Sequence, residues 1–230
     1  MSVSFASLDA VGLNLQAVFD LDALPGELAT RLRAQVDDGD GFRQLILIGH
    51  AGRKLWESLQ ATGPRSANPI DDFSVAHVAE WFATQCTGRR HHVVYPGDRL
   101  VDLQRLGELA GWHHPSPFMV GIQAGWGSWF AYRVAMLADT ELPVGEPAAA
   151  PSPCNACTER PCVAACPADA MASGRYSLER CIGYRRQQGS LCADTCLART
   201  NCPVGSEHRY CDAQIEYHYA LSRGAIERYL

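Results

Sequence analysis

The chemistry in this sequence is concentrated in its cysteines. There are ten: Cys86, Cys154, Cys157, Cys162, Cys166, Cys181, Cys192, Cys196, Cys202 and Cys211. Nine follow residue 150, and eight of those fall into two groups. The first group, in "CNACTERPCVAACPADAM", reads C-x2-C-x4-C-x3-C-P and comprises Cys154, Cys157, Cys162 and Cys166, then Pro167. The second is Cys181 followed by C-x3-C-x5-C-P, that is Cys192, Cys196 and Cys202, then Pro203. Thiolates are soft ligands suited to zinc and to iron–sulfur centres. The N-terminal stretch "MSVSFASLDAVGLNLQAVFDLDALPGE" has neither the charged start of a signal peptide nor a twin-arginine leader. A cytoplasmic protein is therefore expected, in which thiols stay reduced and bind metal rather than form disulfides.

Both groups end in Cys-Pro, the spacing of bacterial two-cluster ferredoxins. In those proteins three close cysteines hold one cluster, and the fourth, before proline, ligates the other. Applied here, that logic assigns Cys154, Cys157, Cys162 and Cys202 to one [4Fe–4S] cluster. Cys166, Cys181, Cys192 and Cys196 are assigned to a second. The spacings depart from ferredoxins: the first group has x4 where x2 is usual, and the second is stretched to x3 and x5. Two structural zinc sites of four cysteines each remain the competing reading. A single cluster beside one degenerate site is another. Cys86 lies in a helical pattern and reads as a buried thiol. Cys211, close to the second group, could be a spare ligand.

The elements that must position these groups divide at "ELPVGEPAAAPSP" (141–153), which reads as a linker or an extended crossing segment. The expected domains are an α/β cofactor domain over 1–143, a ferredoxin-type module over 144–211, and a C-terminal helix over 212–230 that packs back on the first domain, with a weak point at Gly224. In the first domain, "RQLILIGHA" (43–51) has the continuous apolar run of a buried central strand. "HHVVYP" (91–96), "FMVGIQA" (118–124) and "SWFAYRVAML" (128–137) read as three more strands. Phe73, Val75, Val78, Ala79 and Phe82 form one helical stripe, with Asp71, Asp72 and Ser74 as cap candidates. Leu100, Leu103, Leu106 and Ala110 form another. "ELATRLRAQV" (27–36) and "RKLWESLQ" (53–60) are further helical segments. After the linker the apolar content falls, so that module needs metal staples.

Net charge is −5 and there is no basic block, which gives no attraction toward nucleic acid or a membrane surface. No apolar run approaches the ~20 residues of a membrane span. His113 and His114 before "PSP" suggest an exposed loop, and His91 and His92 a strand start. "DDGDG" (37–41) reads as a solvated turn without the length or terminal Glu of a calcium loop.

The segment "GIQAGWGSWFAYRVAMLADTELP" (121–143) resembles the region before the clusters in epoxyqueuosine reductases and reductive dehalogenases, and a region of cblC-type cobalamin-processing proteins. "ELAGW" (108–112) and "RCIGYRR" (180–186) are similar to the epoxyqueuosine reductase pattern. "NPIDDFSVAHVAEWF" (68–82) is closer to the cblC type. The resemblance implies a nitroreductase-like domain that holds cobalamin base-off, beside a bacterial-ferredoxin-like two-cluster module. No D-x-H-x-x-G motif for a lower histidine ligand is present, which agrees with base-off binding. The resemblance places a cofactor pocket at Gly125, Trp126, Gly127, Ser128, Trp129 and Phe130, where small residues let backbone approach a large flat ligand; core packing or a plain turn is the plainer alternative. Where epoxyqueuosine reductases carry a general-acid Asp, the position falls on Tyr95, with Asp98 three residues on. These two are the proton-donor candidates. The C-terminal extension that helps those enzymes hold tRNA has no counterpart in this sequence, so nucleic acid is not the expected partner.

Three functions compete. The first is a cobalamin-dependent or cobalamin-processing reductase, fed by an external ferredoxin- or flavodoxin-type donor and acting on a small-molecule or corrinoid substrate. The second is an FMN-dependent reductase on the same fold. The third is a non-catalytic, ferredoxin-like electron carrier.

Overall fold

The computed structural model describes residues 3–63, 66–145 and 150–229. Residues 146–149 of the expected linker lie outside the described residues. The chain forms two compact units, one of residues 1–110 and 130–148, the other of residues 111–129 and 149–230. The division expected at 143/144 follows chain order, whereas the compact units exchange a segment. Residues 111–129 fold with the cysteine-rich part, and β4 returns to the first unit.

Unit 1 is built on a four-stranded, fully antiparallel sheet in the order β1-β2-β4-β3. Its strands are β1 (Leu15–Asp20), β2 (Gln44–Ala51), β3 (His91–Tyr95) and β4 (Phe130–Ala138). Every residue of β2 is buried, which explains its unbroken apolar run in a central strand. β4, the other central strand, is also buried over most of its length rather than alternating. Among the described residues, five helices belong to this unit: α1 (Ala6–Ala10), α2 (Gly26–Arg33), α3 (Lys54–Thr62), α4 (Pro69–Gln85) and α5 (Leu103–Leu109). α4 packs on β4, and α1 and α3 pack on α4. Cys86 closes α4 as a buried C-cap.

Several expectations are corrected here. Residues 118–124 form turns and isolated bridges rather than a strand. Met119 takes φ +67°, which no strand allows, and Phe118 and Ile122 are buried in unit 2 instead. Leu100 is 95% exposed and precedes α5, whose N-cap is Asp102, the side chain of which accepts from Arg105 N. α4 begins one turn earlier than the acidic residues suggested: Asn68 is the N-cap and Pro69 starts the helix. Ser74 lies inside α4, where its hydroxyl donates to the Ile70 carbonyl. His113 is buried rather than exposed. "DDGDG" contains a short 3-10 turn, Gly39–Gly41, and Asp38 pairs with Arg90 at 2.9 Å.

Unit 2 holds short helices strung between turns: α6 (Pro161–Ala164), α7 (Leu178–Arg185), α8 (Leu197–Thr200) and the long α9 (Asp212–Tyr229). Gly224 does not interrupt α9. The α9 residue Ile215 packs with Trp129 and Tyr210 inside this unit. A second cluster gathers Phe118, Ile122, Cys162, Met171, Ala198 and Cys202, so the thiols themselves form part of the small core. Among the described residues, no helix is long and apolar enough to cross a membrane.

Candidate metal centres and a buried polar cluster

The eight grouped thiols line two cavities in unit 2. Cys154, Cys157, Cys162 and Cys202 line one of about 810 Å³. Cys166, Cys181, Cys192 and Cys196 line the other, of about 420 Å³. Each is far roomier than the ~30 Å³ share of one water. Among the described residues, no three His, Cys, Asp or Glu side chains converge on a position for a single ion. Phe118 is a wall of both cavities. Neither cavity is lined by Cys211.

The local backbone explains how such short segments present their thiols. Pro161 starts α6 and carries Cys162 at its second position. Cys196 is the N-cap of α8, which places it beside the free N–H groups of that helix's first turn. Leu197 N–H points at Cys192, Val163 N–H at Cys162 and Val204 N–H at Cys202. Burial pushes the thiols of Cys154, Cys162, Cys192, Cys196 and Cys202 up, and neighbouring cysteines add to the rise. Charge repulsion of that kind is relieved when a cation takes the thiolates, with release of protons.

The second cavity has a mostly apolar lining with several polar side chains in it. Tyr176, Tyr219, Arg185 and Arg199 line it. Tyr219 and Tyr176 share this lining with Cys196 and Cys181. The buried Arg185 donates from Nε to the Cys192 carbonyl at 3.2 Å, and from Nη2 to the Tyr219 carbonyl at 3.1 Å. Arg199, also buried, donates from Nη2 to the Ser128 carbonyl at 2.6 Å and lies 4.5 Å over the Trp129 ring. Cationic groups and aromatic rings thus close this cavity from several sides.

The residues expected to line a cofactor pocket divide between the units. Phe130 begins β4 in unit 1 and is buried. Gly125 to Trp129 belong to unit 2, and most have internal partners. Trp129 packs against Arg199 and Tyr210, and Ser128 accepts from Arg199. Trp126 stacks on His208 at 4.2 Å. Gly127, at φ +59°, faces Val204, whose carbonyl oxygen would lie 2.0 Å from an added Cβ. The close approach at Gly127 is therefore chain against chain. Around Gly125 there is open space.

In unit 1, two register shifts flank a cluster of polar groups. The β2–β4 pairing skips Arg133, and the β3–β4 pairing skips Val94, just before Tyr95. Such bulges re-aim side chains and recur beside functional sites. Arg133, buried on β4, donates from Nε to His50 Nδ1 at 2.8 Å and lies 3.9 Å from Asp71 in the first turn of α4. Burial raises the Tyr95 phenol, while Arg133 pulls it down and Asp71 pushes it up. Burial likewise raises the Asp71 carboxyl, opposed by Arg133 and reinforced by Asp72. Asp98 is exposed on the bend that follows. Sequence reasoning missed Asp71, Arg133 and His50 as partners of Tyr95. Asp71 sat in a helix-start pattern, and Arg133 and His50 sat inside apolar strands; the lone charge in each run was the only available signal.

No family model matches this chain, and no curated protein matches it. Solved structures of epoxyqueuosine reductases share its fold. One is similar with a TM-score of 0.54 at 15% identity, over 90% of this chain and 66% of that one. Another, from Streptococcus thermophilus, gives 0.52 at 12% identity, over 87% and 64%. A third, an epoxyqueuosine reductase with a tRNA-Tyr epoxyqueuosine-modified tRNA stem loop, gives 0.56 at 15% identity, over 92% and 67%. The chain spans about two thirds of the length of these proteins.

Proposed function

We propose that this protein is an iron–sulfur reductase that passes single electrons through two [4Fe–4S] centres to a base-off corrinoid, with FMN as the alternative acceptor. The observation that carries the reading is the division of eight thiols, four and four, between two cavities in one small unit. When bound, the cubanes supply one-electron carriers and the corrinoid a reducible cobalt. The chain's own residues do the rest. Cys154, Cys157, Cys162 and Cys202 hold one centre, and Cys166, Cys181, Cys192 and Cys196 hold the other. Phe118 keeps water from the space between the quartets. Tyr95 is the proton donor: burial keeps its phenol protonated at neutral pH, and Arg133, fixed by His50, faces the charge left when the proton departs. Asp98 is the second donor candidate. Of the residues expected to face the acceptor, Gly125 and Trp126 retain exposed or half-exposed surface for that role.

The electron donor is an external ferredoxin- or flavodoxin-type protein, and the substrate is a small molecule or a corrinoid. A second substrate class, a modified nucleoside in RNA, is favoured by the fold-neighbour with its tRNA stem loop. Anaerobic reconstitution tests the proposal. About eight irons per chain, a visible band bleached by dithionite, and a base-off shift of added hydroxocobalamin are expected. Two zincs and no iron would refute it. Iron with no response from corrinoid or flavin would leave an electron carrier.

A further inference from the structure

Positive charge gathers on one side of the second quartet. An open cavity of about 640 Å³ in unit 2 is lined by Arg185, Arg186 and Arg223, with Gln187, Gly189, Ser190 and Ala193. Among the described residues its lining holds three cations and no carboxylate, on a chain whose net charge is −5. The three arginines differ in setting. Arg185 is buried, and its guanidinium donates to the carbonyls of Cys192, Ala193 and Tyr219 and to the Ser222 hydroxyl, at 3.1 to 3.4 Å. All four acceptors are neutral, so Arg185 is a fixed positive charge beneath the surface. Arg186, the C-cap of α7, is exposed. Arg223, on α9, pairs with Asp194 at 3.0 Å, and the two side chains are 41% and 49% exposed. An exposed pair of this kind is weak in water and exchanges for a carboxylate of another molecule.

Arg185 joins this patch to the thiols, because it lines both this cavity and the one that carries Cys166, Cys181, Cys192 and Cys196. α7 bears Cys181 and Arg185 on one short helix, and Cys192 lies in the chain between the lining residues Ser190 and Ala193. A protein seated on the arginines is therefore one side chain away from the second quartet. We propose that the cavity edged by Arg185, Arg186 and Arg223 is the docking surface of an acidic one-electron carrier protein, which reduces the centre held by Cys166, Cys181, Cys192 and Cys196. The carrier loses one electron and the centre gains it; no bond is formed or broken. The inference rests on the reading of that quartet as an iron–sulfur centre. The net negative charge of the chain repels an acidic carrier, so a local cationic patch orients the encounter as well as attracting it. Leu191, next to Ser190 and 63% exposed, adds an apolar contact of the kind protein partners use. A nucleic-acid backbone fits less well, because Asp194 stands beside Ala193 and is exposed.

The test is anaerobic stopped-flow mixing of the reconstituted protein with reduced flavodoxin, an acidic carrier, followed through the flavin and cluster bands. In the parent protein the rate falls as salt is added. Arg186→Glu and Arg223→Glu each slow the reaction about tenfold or more at low salt, and the difference shrinks at high salt. Arg186→Lys keeps the parent rate, because the attraction needs only the charge. Arg31→Glu makes the same change of net charge at an exposed position of α2 in unit 1 and leaves the rate near the parent value. Iron content and the extent of reduction by dithionite stay at the parent values in every variant, so a slower reaction reports docking rather than a damaged centre. Parent rates in both Arg186→Glu and Arg223→Glu, or equal slowing in Arg31→Glu, overturn the inference and leave the cluster reading standing. So do variants that lose affinity for a tRNA stem loop while sparing flavodoxin, which would make the patch a phosphate site. A parent protein that takes up no iron overturns the cluster reading itself, and this inference with it.

Discussion

Gly127→Ala separates two accounts of the segment around residues 125–129. If Gly127 exists to let a flat ligand approach, an added methyl spoils ligand binding and spares the fold. The structure assigns it a different task. Gly127 takes φ +59°, and its added Cβ would lie 2.0 Å from the Val204 carbonyl oxygen and 2.8 Å from the carbonyl carbon. Gly205, at φ +63°, faces back, and a Cβ there would lie 2.4 Å from Gly127 N. Two backbone segments thus cross with no room between them. The left-handed conformation costs an alanine about 1–2 kcal/mol. Forcing the crossing apart adds about 1–3 kcal/mol of overpacking. The total of about 2–5 kcal/mol is a large part of the ~5–15 kcal/mol that holds a typical domain. The shift also moves Val204, whose N–H points at Cys202. Gly127→Ala therefore lowers the urea midpoint, followed anaerobically through the flanking Trp126 and Trp129, and loosens iron at the first quartet. Gly205→Ala does the same, and the double variant costs less than the sum because both methyls open one gap. Gly125→Ala, in open space, is the control and changes neither. A Gly127→Ala protein within ~0.5 kcal/mol of the parent that has lost only its corrinoid or flavin response would refute this reasoning.

Other outcomes follow from the same geometry. Phe118→Ala removes a buried ring from the wall of both cavities and costs about 3–5 kcal/mol, with iron lost from both centres; retention of full iron at the parent's melting temperature would contradict it. Cys166→Ala and Cys181→Ala leave the same residual spectrum and about four irons, as do Cys157→Ala and Cys202→Ala with the other centre; a match between Cys166→Ala and Cys157→Ala would break the proposed partition. Asp71 has a carboxyl raised by burial from its ordinary 3.8, so it costs stability increasingly as pH rises from that value through its folded value. Asp71→Asn is then more stable than the parent at pH 7, and the difference vanishes below about pH 4. A destabilised Asp71→Asn at pH 7 would mean that attraction to Arg133 outweighs burial.

The strands of unit 1 were legible where pattern and burial coincide. β2 carries a continuous apolar run over residues 45–48 because every residue of the strand is buried, and "HHVVYP" ends where Pro96 removes a donor. β1 was not read, because "LQAVFD" pairs with β2 as an edge strand and its sequence mixes polar and apolar residues. The antiparallel order was hidden too, since helices between strands suggest crossovers whichever way the strands run. Residues 118–124 misled for a different reason. Their apolar side chains belong to a core of cysteines and turns, in which Phe118 and Ile122 need burial but no ladder. The cysteine spacing suggested two sets of four, and the two cavities carry the same eight side chains in the same sets. Tyr95 could be reached through the family resemblance. Its partners could not, because what brings His50, Asp71 and Arg133 together is the pairing of β2 with β4 and the packing of α4, which no local window contains.

The order of ligands along the chain has an energetic consequence. All four cysteines of the second set lie inside the loop that the first set closes between Cys162 and Cys202, about 40 residues. Closing that loop in a free chain is entropically costly. Once Cys166 and Cys196 are tied by the second centre, about 10 flexible residues remain to be closed. Two halvings of loop length are worth about 0.6 kcal/mol each, or roughly 1.2 kcal/mol together. Coupling between sites is reciprocal, so each centre strengthens the other by the same amount, about eightfold in affinity. The prediction concerns chelator competition on single-centre proteins. Cys181→Ala weakens the first centre and Cys202→Ala weakens the second, by equal factors near eight. Independent affinities would mean that the loop is already ordered without metal. A coupling far above tenfold would require direct contacts between the two centres beyond chain entropy.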